Sequence, residues 1–179
     1  MTRRALALAG LGLAALMLQS VAAAVLPAGL VPDLALLLAV AAAVSAAPIE
    51  GMLLATGVGY GADLLSGSLL GQQALLRLGV FVSTRVVSAQ FHLKRGMPLA
   101  ICAMGVTLAD AAGTAAIGWL FAGDPLIGLH APLDLASRAL VNALFAPLVV
   151  GTLDAVLELL IQREARRRDV RLETRRPVL

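Results

Sequence analysis

Five charged residues sit in the middle of apolar stretches: Asp63, Arg77, Arg85, Asp110 and Arg138. A charge at the centre of a bilayer costs about 2.5–3.5 kcal/mol even on insertion scales that favour entry. Side chains of this kind must therefore face inward and pair with one another. At 1.5 Å of rise per helical residue, Asp63, Arg77, Asp110 and Arg138 fall at overlapping depths, and the sequence predicts that they meet in one buried polar cluster. Gln73, Arg77, Thr84 and Ser88 share one helical face, which should point inward, with Arg85 offset from it. Such a cluster can fix helix register as a structural ion pair, or it can line a polar pocket or relay.

Other chemistry is absent from the pattern. His92 and His130 have no partner at metal-ligand spacing, and Cys102 is the one cysteine, so neither a disulfide nor a cysteine-rich metal site follows. Ser66-Gly67-Ser68 reads as a turn with no histidine base at a recognisable distance. No phosphate-binding glycine loop follows a strand. The reading is of a non-enzyme, with no cofactor and no catalytic residue.

The elements that must position the cluster are six apolar segments. They lie at about 5–25, 33–47, 50–66, 70–89, 98–122 and 135–160, separated by Pro- and Gly-containing turns. Hydrophobic residues make up 60% of the 179 residues, and the mean hydropathy is +0.92, more apolar surface than a soluble domain of this size could bury. The fold class is all-α, a polytopic membrane protein of six transmembrane helices, with a single transmembrane domain at 1–162 and a basic cytoplasmic tail at 163–179. Arg3 and Arg4 before an apolar run imitate a signal peptide. The run to Leu26 exceeds a usual signal core and is read as an uncleaved first span. Pro147 should kink the sixth span. Asp33 opens the second span as a helix N-cap, and Glu50 sits at a span end.

Net charge +3 would suggest nucleic acid in a soluble protein. Here topology and anionic membrane lipid account for the basic residues, and no nucleic-acid partner is expected. Eleven of the fourteen Lys and Arg residues lie in three places: Arg3 and Arg4, Lys94 and Arg95, and seven tail arginines from Arg163 to Arg176. Six spans put all three on one side, and the positive-inside rule makes that side, with both termini, cytoplasmic. Gly57 and Gly61 stand four residues apart, a small-residue pattern read as helix packing, with a homodimer seam as the alternative.

The order of short motifs resembles a known family. Val31-Pro32-Asp33-Leu34 opens a leucine-rich span, Pro48-Ile49-Glu50-Gly51 follows, and a glycine-rich span ends in Gly61-Ala62-Asp63-Leu64-Leu65-Ser66-Gly67 before Leu70-Gly71. This series resembles MreD, the rod shape-determining membrane proteins of bacteria, through Pro32, Asp33, Glu50, Gly51, Asp63, Ser66, Gly67 and Gly71. It continues more faintly at Asn142-Ala143-Leu144 and Pro147-Leu148, while Arg77 and Gln72-Gln73 depart from the pattern. The resemblance implies an inner-membrane scaffold that binds MreC. Together they link MreB filaments to a SEDS polymerase and a class B penicillin-binding protein in peptidoglycan synthesis. It also implies a fold similar to the substrate-binding components of energy-coupling-factor vitamin transporters, with a central pocket. The alternative function is such a substrate-binding subunit.

Overall fold

The structure is a computed structural model that describes residues 2–67, 69–91, 93, 96–122 and 132–173. Ser68, His92, Lys94, Arg95, His130, the remainder of the 123–131 loop and the tail past Glu173 lie outside the described residues.

Six α-helices follow one another: α1 (Thr2–Val25), α2 (Leu34–Ser45), α3 (Pro48–Ser66), α4 (Gln72–Gln90), α5 (Met97–Ala122) and α6 (Pro132–Glu173), with a short 3₁₀ turn at Ala28–Leu30 between the first two. Prolines set several of the breaks. A proline biases the residue before it towards extended backbone, and Val31 and Ala47, which precede Pro32 and Pro48, are both extended. Only Ala46 and Ala47 separate α2 from α3, with Pro48 in the first helical position.

Neighbouring contacts give an alternating up-and-down order. Arg4 meets Glu50 and the Gly12 backbone lies against Val58, so α1 and α3 run the same way. Gly51 faces Phe81 while Gly59 faces Ala74, so α3 and α4 are antiparallel. Arg77 meets Asp33 and Arg85 reaches Ala46, so α4 runs with α2.

The centre of the bundle is α2. Every residue from Leu34 to Ala43 is buried, and α1, α3, α4, α5 and α6 all pack on it. Its alanines explain the close approach from all sides: Ala35, Ala39, Ala41 and Ala42 are wholly buried. At 12 residues, or about 18 Å, α2 is shorter than a hydrocarbon core of about 30 Å. The apolar segment at 33–47 therefore forms an enclosed central helix, a difference from the expectation of a full span. It is uniformly apolar because neighbours surround it.

Among the described residues, three helices are long and apolar enough to cross a membrane: α1, α5 and the Pro132–Arg163 part of α6. α3 and α4 have 19 residues each, about 28 Å, but carry more polar and charged side chains. The outer surface is apolar, with Trp119 at 64% and Leu133 at 83% exposure, whereas Asp63, Arg77, Thr84, Thr107 and Asn142 are buried. An extensive exposed apolar surface, with the buried charges kept inside, is what a lipid surrounding favours. Pro147 lies within α6, which runs on through 42 residues to Glu173.

Candidate functional site: a buried ion cluster and its cavities

Arg77 is the centre of the site. It lies in the second turn of α4, is 3% exposed, and donates from Nη1 to Asp110 of α5 at 2.5 Å and from Nη2 to Asp33 at 2.8 Å. One guanidinium thus joins α4, α5 and the start of α2, and its rigid fork suits two carboxylates held in fixed directions.

Asp33 does two things at once. Oδ1 accepts from the Leu36 amide at 2.9 Å as the N-cap of α2, and Oδ2 takes Arg77. The cap is the expected role, and the ion pair adds Asp33 to the cluster. Its own amide donates to Asn142 Oδ1 at 2.8 Å. Asn142 Nδ2 donates to Thr107 Oγ1 at 3.0 Å, and Thr107 donates to the Ala103 carbonyl at 2.7 Å. This relay ties α2, α6 and α5 together just beside the ion pairs. In addition, Gln19 of α1 accepts the Ala35 amide at 3.0 Å. Helix starts leave amides without intrahelical partners, and α2 hands two of these to side chains of other helices.

The opposite end of α2 receives Arg85. Its Nη1 donates to the carbonyls of Ala43 at 2.8 Å and Ala46 at 2.9 Å. A carboxylate at the first turn and a guanidinium at the last both complement the helix dipole. Such end-to-end charge capping lets a helix with no access to water satisfy its terminal groups.

Asp63 occupies the same end of the bundle and serves the start of α4. It is 0% exposed and accepts backbone amides from Gly71 at 2.9 Å, Gln73 at 2.9 Å and Ala74 at 3.3 Å. The α4 N-cap, Gly71, supplies no side-chain cap, so the carboxylate of the preceding helix takes that place, favoured by the amides and the dipole together. The turn has to double back tightly for this. Gly67 at φ +63° and Gly71 at φ +93° adopt left-handed backbone at its two ends, conformations that glycine takes without steric cost. Ser66 donates to the Asp63 carbonyl at 3.4 Å. Asp63, Ser66, Gly67 and Gly71 thereby form a single turn device.

Arg138 is half-buried in α6 and lines two cavities next to Arg77. The larger, about 290 Å³, lies between α1, α3, α4 and α6 and includes Gln19, Asp33, Gln73 and Arg77 in its wall. The smaller, about 90 Å³, lies on the other side towards Asp110 and Thr107. At the far end of the bundle Glu50 pairs with Arg4 at 3.4 Å.

The glycines divide differently from the small-residue pattern. A Cβ on Gly59 would fall 2.6 Å from the Gln73 carbonyl oxygen and 2.7 Å from the Ala74 Cα, a backbone contact that cannot yield. A Cβ on Gly51 would meet the Phe81 ring at 2.5 Å, and one on Gly61 the Leu16 side chain at 2.6 Å. Gly57, expected to pack, has nothing within 4 Å of that position and is exposed. Gly105 is likewise exposed with open space around it.

Asn142, Thr107, Gln19 and Gly59 were not singled out for these contacts by charge or spacing. A neutral amide or hydroxyl barely lowers the hydropathy of a span. Among the described residues, no three of His, Cys, Asp and Glu converge as a metal site requires. The site defines an all-helical bundle organised round a buried ion cluster. Set against models of known protein families, characterised proteins and solved structures, the chain has no match in any of the three.

Proposed function

We propose that this chain is an integral inner-membrane protein of the MreD type, a non-enzymatic scaffold of the bacterial cell-wall elongation complex. It would bind MreC and, through it, act with MreB, a SEDS polymerase and a class B penicillin-binding protein. The observation that carries the reading is the role of the resemblance-bearing residues. Asp33 caps the central helix and holds Arg77, and Asp63 caps α4 across a Ser66-Gly67-to-Gly71 turn. These residues build the framework of the bundle, as a scaffold's signature residues should, and each needs its own neighbours in order to work.

In this reading six helices lie in the membrane with α2 enclosed by the other five, and both termini are cytoplasmic. In the sequence, eleven of the fourteen Lys and Arg residues lie at 3–4, 94–95 and 163–176, positions that six spans would put on one side. The apolar exterior offers lateral contact surface, including the open backbone at Gly57 and Gly105.

Depleting the protein tests the role. Rod-shaped cells should round up, and the wild-type chain should restore their width. Unchanged shape on full depletion would refute the scaffold.

The second reading, a solute-binding subunit of a vitamin transporter, draws on the cavity of about 290 Å³ with arginine and glutamine in its wall. Co-purification with an ATPase module, together with vitamin-dependent stabilisation, would favour it.

A further inference from the structure

Two cavities run end to end along the line where α1 meets α3. One is an apolar groove of about 390 Å³ walled by residues that include Leu8, Gly12, Leu16, Gly57 and Val58. The other is the polar cavity of about 290 Å³ walled by Gln19, Gln73, Arg77 and Arg138. Leu16 belongs to both walls. On α1 the groove extends from Ala5 to Leu16, about 16 Å along the axis, or roughly half a hydrocarbon core. Gly57, with open space beside it, keeps the groove floor low. An apolar channel leading into a polar chamber has the shape of an amphiphile.

Two residues in the wall of the polar chamber each carry a polar atom with no hydrogen-bond partner. Among the described residues, Arg77 Nε and Gln73 Oε1 are buried and have none. A buried polar atom left without a partner is costly, so the pair suits one acceptor and one donor from a ligand. No surplus of positive charge waits near it: Arg77 and Arg138 are set against Asp33, Asp110 and Asp63. An anionic head group would bring a further uncompensated charge into this interior. A head group that carries both signs would not.

We propose that the α1–α3 seam binds a zwitterionic phospholipid with a primary ammonium head group. One acyl chain lies in the groove past Gly57, the phosphate accepts from Arg77 Nε, and the ammonium group donates to Gln73 Oε1. The inference rests on the chain residing in a membrane and is independent of the scaffold role.

The test uses the full chain, purified in detergent and stripped of lipid, with thermal unfolding measured against added dioleoyl phosphatidylethanolamine or dioleoyl phosphatidylglycerol in mixed micelles. The ethanolamine lipid should raise the midpoint by roughly 5–10 °C at a hundredfold excess over Kd, and the glycerol lipid should bind at least about tenfold more weakly, the loss expected for one unfavourable charged contact. Glycerophosphoethanolamine, which has the head without the chains, should give no shift. Gly57→Leu fills the groove and Gln73→Leu removes the waiting acceptor. Each should fold with its lipid-free midpoint at or above the wild-type value, yet lose most of the lipid-induced shift. Equal response to the two lipids, no response to either, or an undiminished shift in both variants would overturn the proposal. Response to the chain-free head group would overturn it as well.

Discussion

Replacing Arg77 with methionine should be among the most damaging single changes in this protein. The substitution keeps much of the side-chain length but removes the cation between Asp33 and Asp110. Those carboxylates are nearly enclosed, with side-chain exposures of 14% and 13%. Two scales bracket the cost. Hydrogen bonds between membrane helices average about 0.6 kcal/mol and reach about 1.7. Removing one partner of a buried ion pair costs about 3–5 kcal/mol, because the other charge is stranded. Here one deletion strands two charges, so the second scale governs and a loss of at least about 3 kcal/mol is expected. For a chain of this size that corresponds to a fall of roughly 6–12 °C in the unfolding midpoint. Thermal unfolding of the purified protein in detergent, followed by the monodisperse fraction on size exclusion, reads this directly. The triple variant Asp33→Asn, Arg77→Met, Asp110→Asn removes all three charges and should recover much of the loss, since the penalty comes from stranding. A drop under about 2 °C in the single variant, or a triple variant worse than the single, would refute the reasoning.

Gly59→Ala should lower the midpoint sharply or abolish folded yield, because its Cβ would meet α4 backbone, whereas Gly57→Ala should be neutral or slightly stabilising; equal yields on size exclusion would contradict this. Asp63→Ala should cost at least the usual cap loss of about 0.5–2 kcal/mol, since it uncaps α4 in the interior, and Asp63→Asn should keep part of it through its remaining amide oxygen; the order of the two midpoints checks the cap. A reporter active only in the periplasm, fused after Leu179, should stay dark, and a bright signal would place the C-terminus on the other side.

Charge carried the ion cluster a long way. Arg77 and Asp110 could be expected inside because both are costly in an apolar span, although Arg77 lies five residues from the start of α4 and Asp110 twelve from the end of α5. Asp33 showed its capping position through Pro32 before it and a leucine run after it, but not its second bond, which depends on α2 and α4 running the same way. Asp63 was legible as buried and polar. That it serves backbone amides follows from a turn whose geometry is set by Gly67 and Gly71, and the Gly-x-x-x-Gly bracket after the aspartate is the signal that could have pointed there. The small-residue pattern chose Gly57 and Gly61 by spacing alone. The close approach to another helix's backbone is at Gly59, because the face of α3 towards α4 is fixed by Asp63 reaching the α4 start. The second apolar segment looked like a span because hydropathy does not distinguish a helix surrounded by lipid from one surrounded by other helices. Its length of 12 residues is the distinguishing feature.

The claim that this bundle is a scaffold is tested most directly by purifying the full chain in mild detergent from its own membranes and identifying what accompanies it by mass spectrometry. The account predicts a coiled-coil periplasmic protein of the MreC type in near-stoichiometric amount, together with elongation-complex synthases. Recovery of an ATPase module in place of those partners would contradict it.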